Sequence, residues 1–336
     1  MDEGARFPGV AAKAGHYESF YIKACEPGGG GRGIWIRHTV HKRPGAEPNA
    51  SIWFTFFDRS APAPRATKVT VPASELSVPQ GSWIRVGDAE LAPGQAEGSV
   101  DTEALGAAWS LTFSADAGPC KYLPADWLYE APLPKTKFVA PVPLAHFEGR
   151  LEIDDEESIE LSGWPGMIGH NWGSEHAERW VWLEGTGFAD SPGTYFDAGA
   201  ARIKLGSRTS PWIPSGMLML DGEAHRLGGL GAIRSASIEE TPGVCTFVLP
   251  GKDIVVRGRV SAPEKDFVGW VYADPKGPEH NTVNCSVADL ELTVERPGLP
   301  RRELSLAAGA AYELGMRENP GHEQGHGIPI QPYPDG

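Results

Sequence analysis

The run GHNWGSEHAERWVWLEG, residues 169–185, gathers two histidines, three tryptophans and three glutamates. Those residue types suit proton transfer. An imidazole titrates near neutrality and can give or accept a proton, and a buried carboxylate can assist it. A tryptophan face stabilises a passing carbocation through the ring quadrupole. His170 is therefore the candidate acid–base group, with Glu184 or Glu18 as the carboxylate that orients or assists it. If residues 180–184 form a strand, Trp180, Trp182 and Glu184 share one face, and Val181 and Leu183 the other. Gly169 and Gly173 bracket His170, Asn171 and Trp172, which allows a bend that projects polar groups into a cavity. A second reading stays open. His170 and Asn171 could satisfy backbone groups at the bend while the tryptophans fill a core.

Other motifs carry less. Residues 322–326 read His-Glu-Gln-Gly-His, the spacing of a zinc protease. That chemistry needs a helix, which alone puts both imidazoles on one side of the metal. Pro320, Gly321, Gly325, Gly327 and Pro329 argue against a helix there, so no metal site is expected. The acidic run LEIDDEESIE (151–160) lacks the alternating ligands and central glycine of a calcium loop and fits a solvated hairpin turn. Cys25, Cys120, Cys245 and Cys285 lie far apart, with no CxxC pair, and read as reduced thiols.

The elements that must position His170 are strands. Glycine (42) and proline (30) make up about a fifth of the 336 residues, and they punctuate short alternating segments. In HYESFYIKAC (16–25), Glu18, Phe20 and Ile22 share one face, and Tyr17, Ser19 and Tyr21 the other. GGGGRG (28–33) reads as a turn, because no strand-to-helix junction surrounds it to make a phosphate loop. The proline-rich piece 124–143 reads as an extended linker or a strap. HYESFYIKA…GRGIWIRHTV and ERWVWLEGTGF…TYFDAGAARIKL echo each other, which fits an all-β chain of two antiparallel barrels joined near residue 175. A net charge of −14 with no basic block excludes nucleic acid and anionic membrane surfaces as favoured partners. The N-terminus has no apolar leader and no segment is long enough to span a membrane, so a cytoplasmic location is expected.

Three blocks carry a family resemblance. They are HYESFYIKA…GRGIWIRHTV…SIWFTFF, AHFEGRLEI…IELSGWPGMIGHNWG…RWVWLEG, and the ending AAYELGMREN with its internal glutamate. In these the chain resembles the two-domain lipocalin-like proteins that include hydroxyneurosporene synthase (carotenoid hydratase). Tocopherol cyclase and the fungal lipocalin-like Diels–Alderases are more distant kin. The resemblance implies two lipocalin-like β-barrel domains, residues 1–175 and 176–336, packed together with few short helices. It also implies an apolar pocket in or between them and cofactor-free, non-redox chemistry: hydration, cyclisation or isomerisation of an isoprenoid- or polyketide-like molecule. On this resemblance Glu18 is the acidic position of the first strand, His170 the acid–base group, and Asn171, Trp172, Trp180, Trp182 and Trp35 line the pocket. Carotenoid-hydrating relatives often carry an acid immediately before the histidine, where this chain has Gly169. The proton donor must then be found elsewhere, or the chain is a non-catalytic carrier of a lipophilic metabolite.

Overall fold

Strand after strand alternates a large apolar residue with a second, equally buried one. The computed structural model describes residues 4–154, 158–318 and 328–331. The HExxH match and part of the acidic run lie outside the described residues. Twelve strands precede residue 174: β1 (His16–Cys25), β2 (Arg32–Lys42), β3 (Asn49–Asp58), β4 (Arg65–Pro72), β5 (Leu76–Ser77), β6 (Ile84–Val86), β7 (Ala89–Ala92), β8 (Gln95–Asp101), β9 (Gly106–Phe113), β10 (Cys120–Lys121), β11 (Thr136–Ile153) and β12 (Ile159–Gly173). They form one antiparallel sheet in the order β4-β3-β2-β1-β12-β11-β9-β8-β7-β6-β5, with β10 beside β11, curled into a nearly closed barrel.

The remaining strands are β13 (Arg179–Thr186), β14 (Tyr195–Arg202), β15 (Lys204–Leu205), β16 (Arg208–Thr209), β17 (Ile213–Leu220), β18 (Glu223–Gly228), β19 (Ser237–Thr241), β20 (Val244–Pro250), β21 (Val255–Ser261), β22 (Val268–Tyr272), β23 (His280–Glu295) and β24 (Arg302–Met316). Apart from the β15–β16 hairpin they build a second sheet, β18-β17-β14-β13-β24-β23-β21-β20-β19 with β22 beside β23, which is a half-barrel. The all-β expectation holds: among the described residues the only helices are 3-10 turns of three or four residues. None is long and apolar enough to cross a membrane. All four cysteines are free and buried.

Period-2 alternation explains the double burial. Phe20, Ile22, Ile34, Ile36, Ile52 and Phe54 fill the first barrel. The intervening Trp35, Trp53 and Phe57 point outward and join the core of the second sheet. Trp53 meets Trp270 edge-on at 4.9 Å, a geometry that adds about 0.5–1.5 kcal/mol to the area it buries. Polar residues on these outward faces are thus trapped in a layer between the sheets, where each needs a partner.

Two local expectations are corrected. The proline-rich piece 124–143 is an extended linker only in part, because β11 begins at Thr136. Pro141 and Pro143 have no N–H to give the ladder, so its register shifts between Val139 and Val142 and again between Val142 and Ala145. Nor does the chain bend at His170. Residues 166–173 pair in unbroken register with 17–24 of β1. The flanking glycines serve close approach instead: a Cβ at Gly173 would lie 2.1 Å from the Lys135 carbonyl oxygen.

Candidate active site

Inside the first barrel, β1 sets Glu18 and Phe20 opposite Trp172 and His170 of β12. Glu18 is a fully engaged buried carboxylate. Oε1 accepts the Arg6 N–H at 2.7 Å and faces His170 Nε2 at 2.8 Å. Oε2 accepts the Phe7 N–H at 2.7 Å and faces His16 Nε2 at 3.1 Å. Burial pushes its pKa up, yet the bonds from His16 and His170 outweigh it and hold the group at about 2. An ionised carboxylate only accepts, so both Nε2 atoms carry hydrogen. Burial lowers the His170 pKa against the pull of Glu18, which favours the neutral ring with its proton on Nε2. Nδ1 has no hydrogen-bond partner among the described residues. Phe20 stacks on the ring at 3.8 Å and Trp172 lies at 4.7 Å. Beyond Phe20, on β2, His38 is fully buried, held neutral by burial near a pKa of about 3.

Glu18 also anchors the segment before β1. Lys42 Nζ donates to the Ala12 and Ala14 carbonyls at 2.8 Å, so residues 6–14 are tied down at two points. Glu18→Gln is expected to lose on the order of 3 kcal/mol at pH 7, the linkage carried by a carboxylate moved from 4.5 to about 2. That stability is present above pH 4.5 and vanishes as pH falls through about 2. Limited proteolysis should cut the variant, and not the parent, around residues 4–12. Unchanged cleavage would show that Glu18 does not hold the segment.

Gly169 leads into the layer between the sheets. A Cβ there would lie 2.1 Å from Cζ of Tyr21, so any side chain, an acid included, is excluded while Tyr21 keeps its place. Gly169→Ala is expected to cost about 1–3 kcal/mol by overpacking in chemical denaturation, and adding Tyr21→Ala should return part of the loss. A neutral Gly169→Ala would mean that Tyr21 moves freely.

Across Tyr21 an acid does occur. The Tyr21 ring meets Trp182 edge-on at 5.2 Å, and Trp182 Nε1 donates to Asp197 Oδ1 at 2.9 Å. Tyr122 donates its hydroxyl to Oδ2. Asp197 is buried, and desolvation, only partly opposed by Tyr122 and Trp182, pushes its carboxyl up to about 7. Met217 is its cross-strand partner on β17, and Tyr195, Cys120 and Phe138 complete an apolar, sulfur- and ring-rich surround. Tyr21, Phe138, Trp182 and Met219 are only partly buried, so the layer reaches solvent at its edge.

Glu184 stands directly opposite Asp197 in the β13–β14 ladder. It forms an ion pair with Lys23 of β1 at 2.8 Å, with both side chains at most 1% exposed. Burial raises its pKa, and Lys23 opposes only part of the rise. Lys23 Nζ also donates to the Gly309 carbonyl at 2.6 Å. Farther along the layer Trp180 Nε1 donates to Glu313 Oε1 at 2.9 Å.

The sequence-predicted residues therefore divide. Glu18, His170 and Trp172 share the first barrel's interior. Trp35 and Asn171 are on its outer side, and Trp180, Trp182 and Glu184 are on the facing side of the second sheet. Of the two glutamates considered as partner to His170, Glu18 lies within hydrogen-bond distance of it and Glu184 pairs with Lys23. Sequence reading missed Asp197, although folding the hairpin about residues 190–191 places 184 opposite 197. It also missed Lys23, His38 and the trio His176, Asp274 and His280, which no local spacing announces.

The architecture is thus a nearly closed barrel and a half-barrel, with buried titratable groups inside the first and between the two. No family model matches the chain. An uncharacterised protein of Mycobacterium tuberculosis is 27% identical over 321 residues, covering 93% of this chain and 90% of that one. Among solved structures, a candidate AttH from Nitrosomonas europaea superposes with a TM-score of 0.56 at 13% identity, covering 94% of this chain and 98% of that one. Kievitone hydratase from Nectria haematococca superposes with a TM-score of 0.51 at 9% identity, covering 91% and 90%. At those identities the structural likeness establishes the fold.

Proposed function

We propose that this chain is a proton-transfer enzyme of the hydratase, cyclase or isomerase kind, acting on a largely apolar, unsaturated small molecule in the layer between the sheets. One observation carries the reading. Asp197 is a carboxylic acid poised at about 7 in a surround of rings and methionines, with a second buried carboxylate directly across the ladder. A protonation site near operating pH is what general acid catalysis requires. The Asp197 O–H breaks as a C–H bond forms at one alkene carbon, and the Trp182 and Tyr21 faces stabilise the cation left at the other. Water then adds there and returns a proton to the carboxylate; loss of a neighbouring proton or ring closure would end the step as isomerisation or cyclisation. Side chains supply both proton donor and acceptor, so no redox group enters. The partly exposed ring edge of Tyr21, Phe138 and Met219 is the entry in this reading. That a protein named a hydratase shares the fold supports the class of reaction.

Mass spectrometry of small molecules that co-purify with the protein tests the proposal, followed by incubation in D2O. An apolar alkene that gains one deuterium at carbon is the expected result. Recovery of only polar metabolites, or of an apolar ligand that never exchanges, would sink it.

A second reading rests on a cavity of about 400 Å³ lined by Trp83, Phe113, Pro141 and Val142. Trp83 stacks on Phe20, and Phe20 on His170, so a file of rings leads inward to the unpartnered Nδ1. There the first barrel would hold the ligand, as carrier or with His170 as base. His170→Ala would then remove binding or turnover while Asp197→Asn leaves both intact.

A further inference from the structure

His176, Asp274 and His280 come from three different segments: the crossing between β12 and β13, the loop after β22, and the first residue of β23. One ligand atom from each lies within 4.8 Å of the others. Asp274 Oδ1 is taken by His176, accepting its backbone N–H at 2.7 Å and its Nδ1 at 2.6 Å. Oδ2 is left over, 3.6 Å from His280 Nδ1. His280 is fully buried, and neither of its ring nitrogens makes a hydrogen bond of good geometry among the described residues. His176 Nε2 and Asp274 Oδ2 are likewise buried and unpartnered. Buried polar atoms are almost always paired, so His280 Nδ1 and Asp274 Oδ2, which face each other without a hydrogen bond, call for an occupant.

We propose that His176, Asp274 and His280 form a binding site for a divalent transition metal of the zinc class, clamping the crossing between the two sheets to the second sheet. The donor set selects the class. Two imidazoles and one carboxylate suit zinc and its borderline neighbours, whereas magnesium and calcium demand all-oxygen cages. Spacing agrees, because two bonds of ~2.1 Å at a tetrahedral angle set donors roughly 3.4 Å apart, close to the separation of His280 Nδ1 and Asp274 Oδ2. The carboxylate lies on the Nδ1 side of His176, so the ion takes the place of the proton between His176 Nδ1 and Asp274, with His280 Nδ1 as the third donor. Tyr17 stacks on His176 at 3.9 Å and Trp180 at 5.5 Å, holding the ring in register. A fourth position stays open to water. The site is independent of Asp197 and Glu184, so it stands or falls apart from the proposed reaction.

Tag-free full-length protein, stripped with chelator and dialysed, is titrated with Zn2+ and separately with Co2+. The expected result is one equivalent bound at micromolar concentration, a cobalt absorption spectrum of mixed nitrogen–oxygen coordination, and a melting temperature raised by zinc and unmoved by Mg2+. His280→Gln should weaken uptake at least about 100-fold. The double change His322→Ala/His326→Ala in the tail should leave uptake intact. Failure of the wild-type protein to take up a stoichiometric ion overturns the site without any variant. So does uptake lost with the tail histidines and kept in His280→Gln. Should His280→Gln not fold, Asp274→Asn with the same cobalt readout takes its place, and an unaltered spectrum there counts against the site.

Discussion

Asp197→Asn is expected to cost about 10²–10⁴ in turnover while making the folded protein more stable above pH 7. The two effects share one cause. Burial drives the Asp197 carboxyl from its ordinary 3.8 to about 7, so folding favours the protonated acid. A raised acid contributes stability that is whole below pH 3.8 and is lost as pH rises through about 7. Each pH unit in that window removes about 1.4 kcal/mol, on the order of 4 kcal/mol in all. Asparagine keeps an oxygen for Trp182 Nε1 and an amide for the Tyr122 hydroxyl, and it cannot ionise. Thermal melts at pH 4 and pH 8 read the difference: parent and variant close together in acid, the variant higher in base. Deuterium incorporation into the co-purified ligand reads the chemistry, and in the parent it should fall as pH rises past 7. A variant that keeps turnover would remove Asp197 from the reaction. One that loses turnover, ligand binding and melting temperature together would assign it to packing.

What the sequence made legible was everything of period 2. Glu18, Phe20 and Ile22 do share a face of β1, and Trp180, Trp182 and Glu184 a face of β13, because alternation is a local property of an extended backbone. What sits across from each face was not local. Glu18 and His170 are 152 residues apart and Lys23 lies on another sheet from Glu184, so their pairing depends on strand order and on how the sheets stack. The two glycines around His170 misled for a related reason. A glycine permits a bend, but it equally permits another chain to come close, and only the position of Tyr21 and Lys135 decides between them. Pro141 and Pro143 likewise read as a linker because a central strand rarely tolerates proline, and β11 accommodates them with register shifts. Asp197 was within reach. Its strand alternates Phe196, Ala198 and Ala200 into the core, which leaves an acid on the opposite side beside Tyr195.

Lys23→Met is the change expected to harm stability most, by about 3–5 kcal/mol. Lys23 spans the layer from β1 to Glu184 on β13 and the Gly309 carbonyl on β24, with no exposed surface of its own. Methionine fills its volume, so little packing is lost, and the cost falls on Glu184, whose charge is left buried without a cation. That carboxyl, already raised by burial, would lose the cation that opposes the rise and be pushed further up. The double variant Lys23→Met/Glu184→Gln should recover most of the loss, since replacing both partners of a buried pair is far cheaper than removing one. Urea denaturation of the parent, both single variants and the double closes the cycle and isolates the coupling between the two side chains. If the double variant is no more stable than Lys23→Met, the ion pair is not what Lys23 supplies, and its bond to Gly309 carries the junction. If stability returns while turnover does not, the pair is held for the charge it sets beside Asp197. Glu184 raises the Asp197 pKa and Lys23 lowers it, so losing both charges alters the setting of the proton donor without touching its hydrogen bonds.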